Sequence, residues 1–371
     1  MMRRALFLLP VLALLTGLRL WTPVPIEGTP ASLLPQRLSG PDFWQLSTEL
    51  SEPDGYFRSD NLVSNELFMQ RVLPDLMRVA KSGRAYLGVG PEQNFTYIAA
   101  IRPAIAFIVD IRRGNLRLHL MYKAIFELSA DRAEFVARLF SMKRRPQLGK
   151  TSTVSEIFAA YADPDSKSEE LFKENVAAIR ETLNKKDRLG LSAEDLKGIE
   201  EIYAQFYTRG LNIHYEITPG SNGAFPTYAD VMTATDAASV PRSFLATEEL
   251  FSIVKELQTR NLIVPVVGNF AGPKAIRAIG KYLRVHDAVV SAFYVSNVEQ
   301  YLGRDGGGGI EEFCTSASTL PIDDSSVFIR SERGGFPRGP RAFGAGGFGG
   351  NFSSQLHNIR SDLKACILTP R

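Results

Sequence analysis

The sequence predicts an α/β protein, a mostly parallel sheet wound with helices and carrying a helical insertion. Three observations predict it. Ile105–Ile111 (IAFIVDI), Leu262–Gly268 (LIVPVVG) and Ala288–Val295 (AVVSAFYV) are continuous apolar runs rich in Ile and Val. That is the pattern of strands buried on both faces of a parallel sheet. Segments of helical periodicity separate these runs, as βαβ connections require. A shorter run, Ala85–Gly90 (AYLGVG), closes on glycines just where a strand should turn into a helix.

The chain has 371 residues, enough for one large domain or two ordinary ones. Lys and Arg number 43 against 40 Asp and Glu. So even a balance argues against a dedicated nucleic-acid binder, which carries a basic patch or stripe. Arg3 and Arg4 precede the apolar run Ala5–Leu15, which reads as an export signal over residues 1–20. The run is shorter than the roughly 20 residues of a bilayer span, and Pro10 interrupts it. No small-residue cleavage site follows, so an uncleaved anchor, facing the cytoplasm or not, is the second reading of this segment; an N-terminal core helix is the third. Any membrane contact would run through this segment, placing the protein in or beyond a bacterial envelope. Residues 21–45, rich in Pro, Gly and Ser, read as a linker. Residues 46–371 then form the α/β domain. Cys314 and Cys366 have no metal-ligand spacing. One disulfide would suit an exported protein; two unrelated free thiols fit equally.

Taken in order, the first helical pattern covers Asn65–Val79, with Pro74 as a kink or break. Strand Ala85–Gly90, a turn with a short helix, and strand Ile105–Ile111 make one βαβ unit. Residues 113–225 are apolar at helical spacing with charged faces, and read as a helical insertion. The alternation resumes with helix Thr247–Arg260, strand Leu262–Gly268, helix Gly272–Leu283 and strand Ala288–Val295. Ser326–Arg330 is a late short strand and Ala365–Leu368 the last one expected. Between them Gly334–Gly350, glycine-rich with interspersed Phe and Arg, reads as a mobile loop.

The chemistry gathers at the glycine turn. Gly88 and Gly90 permit unusual φ/ψ and close approach of a ligand to the backbone. The following helix start offers unpaired N–H groups. Asp110 follows Gly90 by about twenty residues and ends the next strand, where Rossmann-like folds place a carboxylate on ribose hydroxyls. Position 93 is Gln, so the dinucleotide pattern G-x-G-x-x-G is incomplete. Glu92 adds negative charge beside the cradle, which disfavours a diphosphate. No P-loop is present.

AYLGVG followed by FIVDI resembles the first motif and second-strand acidic residue of class I S-adenosylmethionine (SAM)-dependent methyltransferases. The longer strings YLGVGPEQNFTYI, FIVDIRR, LIVPVVGNFAGPKAIRAIGKYL and VSAFYVSNVEQYL are similar to a bacterial family with a methyltransferase-like fold that includes a leptospiral lipoprotein. The resemblance implies a Rossmann-like, class I methyltransferase-like domain over most of the chain after about residue 50. It implies that Gly88, Gly90 and Asp110 hold SAM; Glu92 and Arg112 are further cofactor-side candidates beside them, Arg112 with Arg113 alternatively binding an acidic acceptor or covering the rim. Such an enzyme would bind a small-molecule cofactor and transfer a methyl group to an acceptor that the sequence does not define.

Residues after the other strands complete the candidate site, since ligands bind at the carboxyl ends of parallel strands. Asn269 follows LIVPVVG and would orient the acceptor. Ser296 and Asn297 follow AVVSAFYV and would touch substrate, with Glu299 as general base. The alternative for SNVEQYL is a strand-to-helix turn in which Asn297 caps the helix and Glu299 suits its first turn. Tyr228 and Asp230 are substrate-side candidates or, alternatively, turn and cap residues. Ser59, Asp60, Asn61, Asn65 and Glu66 would fold over the cofactor as a lid, or serve as caps. The four histidines show no metal spacing, so no metal is expected. A non-catalytic, exported binding or surface protein that keeps the fold is the rival to the enzyme. An NAD-type oxidoreductase is a third, weaker option.

Overall fold

A computed structural model describes residues 33–163, 166–218, 225–303, 308–333 and 352–368. Both the N-terminal apolar segment and the Gly334–Gly350 stretch lie outside the described residues. The chain begins with α1 (Gly40–Leu50) and α2 (Leu73–Val79), then β1 (Ala85–Gly88), α3 (Gln93–Ile101) and β2 (Ile105–Asp110). Six helices follow: α4 (Arg113–Leu128), α5 (Arg132–Leu139), α6 (Val154–Ala160), α7 (Glu169–Glu181), α8 (Ala193–Arg209) and α9 (Tyr228–Thr233). The second half comprises α10 (Glu248–Thr259), β3 (Ile263–Val267), α11 (Ala275–Val285), β4 (Val290–Ser296), α12 (Val298–Leu302), α13 (Gly308–Ala317), β5 (Val327–Arg333), β6 (Phe352–Asn358) and α14 (Ile359–Leu368).

One six-stranded sheet runs β3-β2-β1-β4-β5-β6. The first five strands are parallel and β6 pairs antiparallel with β5. This is the α/β, Rossmann-like, mostly parallel sheet with helical insertion that the apolar runs predict. Every residue of β1, β2 and β3 is buried, as strands covered on both faces must be. The strand order reverses between β1 and β4, and their carboxyl ends flank the crevice where such sheets bind ligands.

Local chemistry explains where helices start. Ser39, Asp131, Ser168, Ser192 and Thr247 each accept a backbone N–H at an N-terminus. Thr153 and Glu156 form a capping box on α6, and Thr227 with Asp230 forms another on α9. Pro74 sits in the first turn of α2 rather than kinking a longer helix, because its missing N–H costs nothing there. Helix α1 starts inside the stretch whose composition reads as linker. Ion pairs tie the helices of the insertion to one another. Asp195 on α8 receives the guanidiniums of Arg113 (2.7 Å) and Arg117 (3.0 Å) from α4. Lys123 of α4 is buried against Glu127, Asp187 and the Gln258 carbonyl.

Two expectations at the C-terminus are corrected. Ala365–Leu368 is the last turn of α14, not a strand. The last strand is β6, whose sequence FSSQLHN lacks the apolar run of a central strand because it lies at the sheet edge. Cys314 of α13 and Cys366 of α14 form a disulfide.

Candidate functional site

A cavity of about 530 Å³ opens at the carboxyl ends of β1 to β4. Val89 and Gly90 follow β1; Asp110, Ile111 and Arg112 end β2; Gly268, Asn269 and Phe270 follow β3; Ser296 and Asn297 follow β4. Of the residues singled out from sequence, Gly90, Asp110, Arg112, Asn269, Ser296 and Asn297 share one cavity, and so do Asn61, Asn65 and Glu66 from the lid-or-cap stretch.

The glycine turn is built by a residue the sequence reading passed over. Asn94 donates its side-chain amide to the carbonyls of Val89 (2.9 Å), Gly90 (3.2 Å) and Pro91 (2.7 Å). Its Oδ1 accepts the Tyr86 hydroxyl at 2.8 Å. Gly88 must be glycine for this packing: a Cβ there would stand 1.9 Å from Asn94 Oδ1. Gly88 thus shapes the turn from behind, while Gly90, at φ +77°, faces the cavity.

Asp110 is buried and engaged. Arg112 donates its backbone N–H (3.0 Å) and Nε (3.1 Å) to Oδ1, and Nη2 (3.1 Å) to Oδ2. The Arg112 Nη1 donates to the carbonyls of Ser59, at 3.0 Å, and Asp60. Oδ2 retains acceptor capacity toward a ligand hydroxyl, since a carboxylate offers about four lone-pair sites.

Glu92 lies behind the turn, fully buried. Its Oε1 accepts the Ser64 backbone N–H at 3.0 Å, and Oε2 has no partner among the described residues. Burial pushes its carboxyl up to about 7, against the Ser64 hydrogen bond. His119 is also fully buried, with Nε2 2.9 Å from the Gly90 carbonyl. Burial brings it down to about 4, so the ring is neutral at physiological pH and Nε2 carries the proton it donates.

At the β4 end, Ser296 adopts φ +50°, a left-handed conformation uncommon outside glycine. The β4–β5 register shifts there as well. The Ser296 hydroxyl donates to Glu66 Oε1 at 2.8 Å, and Tyr294 donates to the same oxygen at 2.5 Å. Gln93 Nε2 donates to the Tyr294 hydroxyl at 3.1 Å.

The remaining candidates differ in how they meet the cavity. Asn269 lines the cavity, but its Oδ1 accepts the Ala271 N–H and shapes the turn after β3. Asn297 sits at the start of α12 and makes no side-chain cap bond. Glu299 is held in a two-point ion pair by Arg330 (2.6 and 3.0 Å) and does not line the cavity. Tyr228 packs in the core against Phe140 and Phe158, and Asp230 is an exposed capping carboxylate. Neither reaches the cavity.

Residues 47–66 cross the carboxyl edge of the sheet strand by strand. Ser47, Ser51 and Glu52 bond β3 at Pro265 and Val267. Gly55 donates to the Ile111 carbonyl, and Ser59 and Asp60 hold Arg112 after β2. Ser64 reaches Glu92 after β1, and Glu66 reaches β4. The chain order of this strap thus follows the spatial order of the four strands.

The family described as a domain of unknown function, DUF7790, matches residues 62–361. The chain belongs to this family. The DUF7790 match takes in the glycine turn, Asp110, the insertion and all six strands, while most of the strap precedes it. No curated protein matches the sequence. Among the described residues no cluster of His, Cys, Asp or Glu could hold a metal ion, and no helix is long and apolar enough to cross a membrane.

Proposed function

We propose that this protein binds SAM, or a related nucleoside, in the cavity at the switch point, as a class I methyltransferase-like protein. The observation that carries this reading is that Gly90 and the Asp110 carboxylate border one cavity at the β1 and β2 ends. A nucleoside needs close backbone approach and a carboxylate for its ribose, and both are present there. If methyl transfer takes place, the protein acts mainly by holding donor and acceptor in line and excluding water. Ser296, Asn297 and Asn269 border the same cavity and would meet an acceptor there. The ion pair of Glu299 with Arg330 argues against Glu299 as the base.

Calorimetric titration of the full chain with SAM and S-adenosylhomocysteine tests the reading, with Asp110→Asn alongside. Saturable binding, weakened about tenfold or more by the substitution, is the expected result. A folded protein that takes up neither ligand would refute it.

A second reading has its own observation. The Cys314–Cys366 disulfide suits an oxidising compartment, in line with the leader-like N-terminus. SAM is made inside cells, so an exported domain would lack its donor and would serve as a non-catalytic binding or surface protein. A cytoplasm-facing anchor would favour the enzyme instead. The mass and location of the mature chain separate these cases.

A further inference from the structure

The cavity is lined by four charged side chains among the described residues, Arg58, Glu66, Asp110 and Arg112. Asp110 and Arg112 neutralise each other. Arg58 is exposed at the rim, over the Tyr301 ring. Glu66 is different. It is 5 % exposed and has no ion-pair partner among the described residues. Its Oε1 takes the hydroxyls of Tyr294 and Ser296, and its Oε2 takes no hydrogen bond among the described residues.

Gln93, 4 % exposed, has the same deficit. The Tyr294 hydroxyl gives its only proton to Glu66, so it must accept from Gln93. That fixes the amide with Nε2 toward Tyr294 and leaves Oε1 as an acceptor without a donor. Two buried acceptors, on residues that line one cavity, thus have no donor among the described residues. Aromatic rings line the same cavity: Phe57 against Tyr301 (5.2 Å between centroids) and Tyr215 against Phe225 (5.1 Å). Phe57 and Tyr301 already carry the guanidiniums of Arg112 and Arg58, so the rings offer an apolar lining for a stem, while the buried acceptors demand N–H or O–H donors.

We infer that the β4 side of the cavity is a recognition subsite for a protonated primary amine carried on an apolar stem, with the ammonium at Glu66 and Gln93 and the stem among the aromatic rings. Gln93 stands beside the Gly90 turn, so the subsite adjoins the place where the nucleoside reading puts its ligand, yet it rests on Glu66 and Gln93 and not on that ligand's identity.

The test compares 2-phenylethylamine with its neutral counterpart 2-phenylethanol by calorimetric titration of the full chain at neutral pH. The two share a stem, and differ in a charged donor group. The amine should bind about tenfold tighter or more, as expected for a hydrogen-bonded charge. Glu66→Gln, checked for folding by its melting curve, should bring the two affinities together. Equal affinities in the unaltered protein, or binding of neither compound, would overturn the inference even if the variant fails to fold. So would a preference that survives Glu66→Gln. Binding of SAM without preference for the amine would leave the nucleoside reading standing and remove this one; the reverse would do the opposite.

Discussion

Two buried titratable residues meet at the Gly90 turn, and their effects on stability oppose each other. Glu92 has its carboxyl raised to about 7, so between the ordinary carboxylate range and pH 7 the native state holds a proton the unfolded chain has lost. Stability from Glu92 is therefore full at low pH and falls as pH rises through 7. His119 is depressed to about 4, so between about pH 4 and 6.5 the unfolded chain holds the extra proton. Stability from His119 is full above that window and falls as pH drops through it. From about pH 4.5 to 6.5 the two slopes cancel, which predicts a nearly flat pH dependence there for this pair. Glu92→Gln keeps the acceptor for Ser64 and removes the charge. It should raise stability at pH 8 by on the order of 3 kcal/mol and unmask the His119 slope below pH 6.5. Urea unfolding of both proteins across pH 4–8 checks this, and identical pH profiles would count against it. Gly88, Gly90 and Asp110 were legible as a turn and a strand end because their spacing is local. Asn94, which builds the turn, was not legible in that role, and Glu66 was legible only as a lid or cap residue, because its bonds to Tyr294 and Ser296 depend on contacts the sequence does not display.

Secondary structure shows the same division. The central strands announced themselves because burial on both faces demands unbroken apolar runs. The edge strand β6 did not, and the apolar Ala365–Leu368 was mistaken for a strand although it ends the helix α14. Sequence left the two cysteines open between a bridge and free thiols; the fold brings them together between α13 and α14. The bridge closes a loop of 52 residues, for which chain entropy gives a stabilisation of about 4 kcal/mol. Its reduction, or Cys366→Ser, should lower the unfolding free energy by up to that amount. Amide exchange should quicken first in β6, the edge strand inside the closed loop, and in α14, which carries Cys366. Unchanged exchange there after reduction would mean that packing of α14, rather than the bridge, holds this edge.

At the scale of the whole molecule, the strap over residues 47–66 turns a doubly wound sheet into a covered cavity. The reading of SDNLVSNE as a lid or a run of caps concerned these residues, yet the sequence could not show that they track four strands in spatial order. Such a path exists only once the sheet has formed. Two devices hold it. Glu52 accepts the backbone N–H groups of Asn269 (3.0 Å), Lys274 (2.8 Å) and Ala275 (2.8 Å), supplying the negative charge that the start of α11 favours. Arg112 clamps Asp110 with one side of its guanidinium and the strap carbonyls with another. Only a planar, branched donor serves both at once, and lysine is a single point charge. Arg112→Lys should therefore keep the charge balance beside Asp110 but release the strap, at a cost of roughly 2 kcal/mol. Amide exchange should rise along residues 55–64 while β1 to β4 stay protected. A uniform rise across the sheet would make Arg112 a general stabiliser. A rise confined to the strap would establish that the cover over the cavity opens on its own, with Arg112 as its fastening.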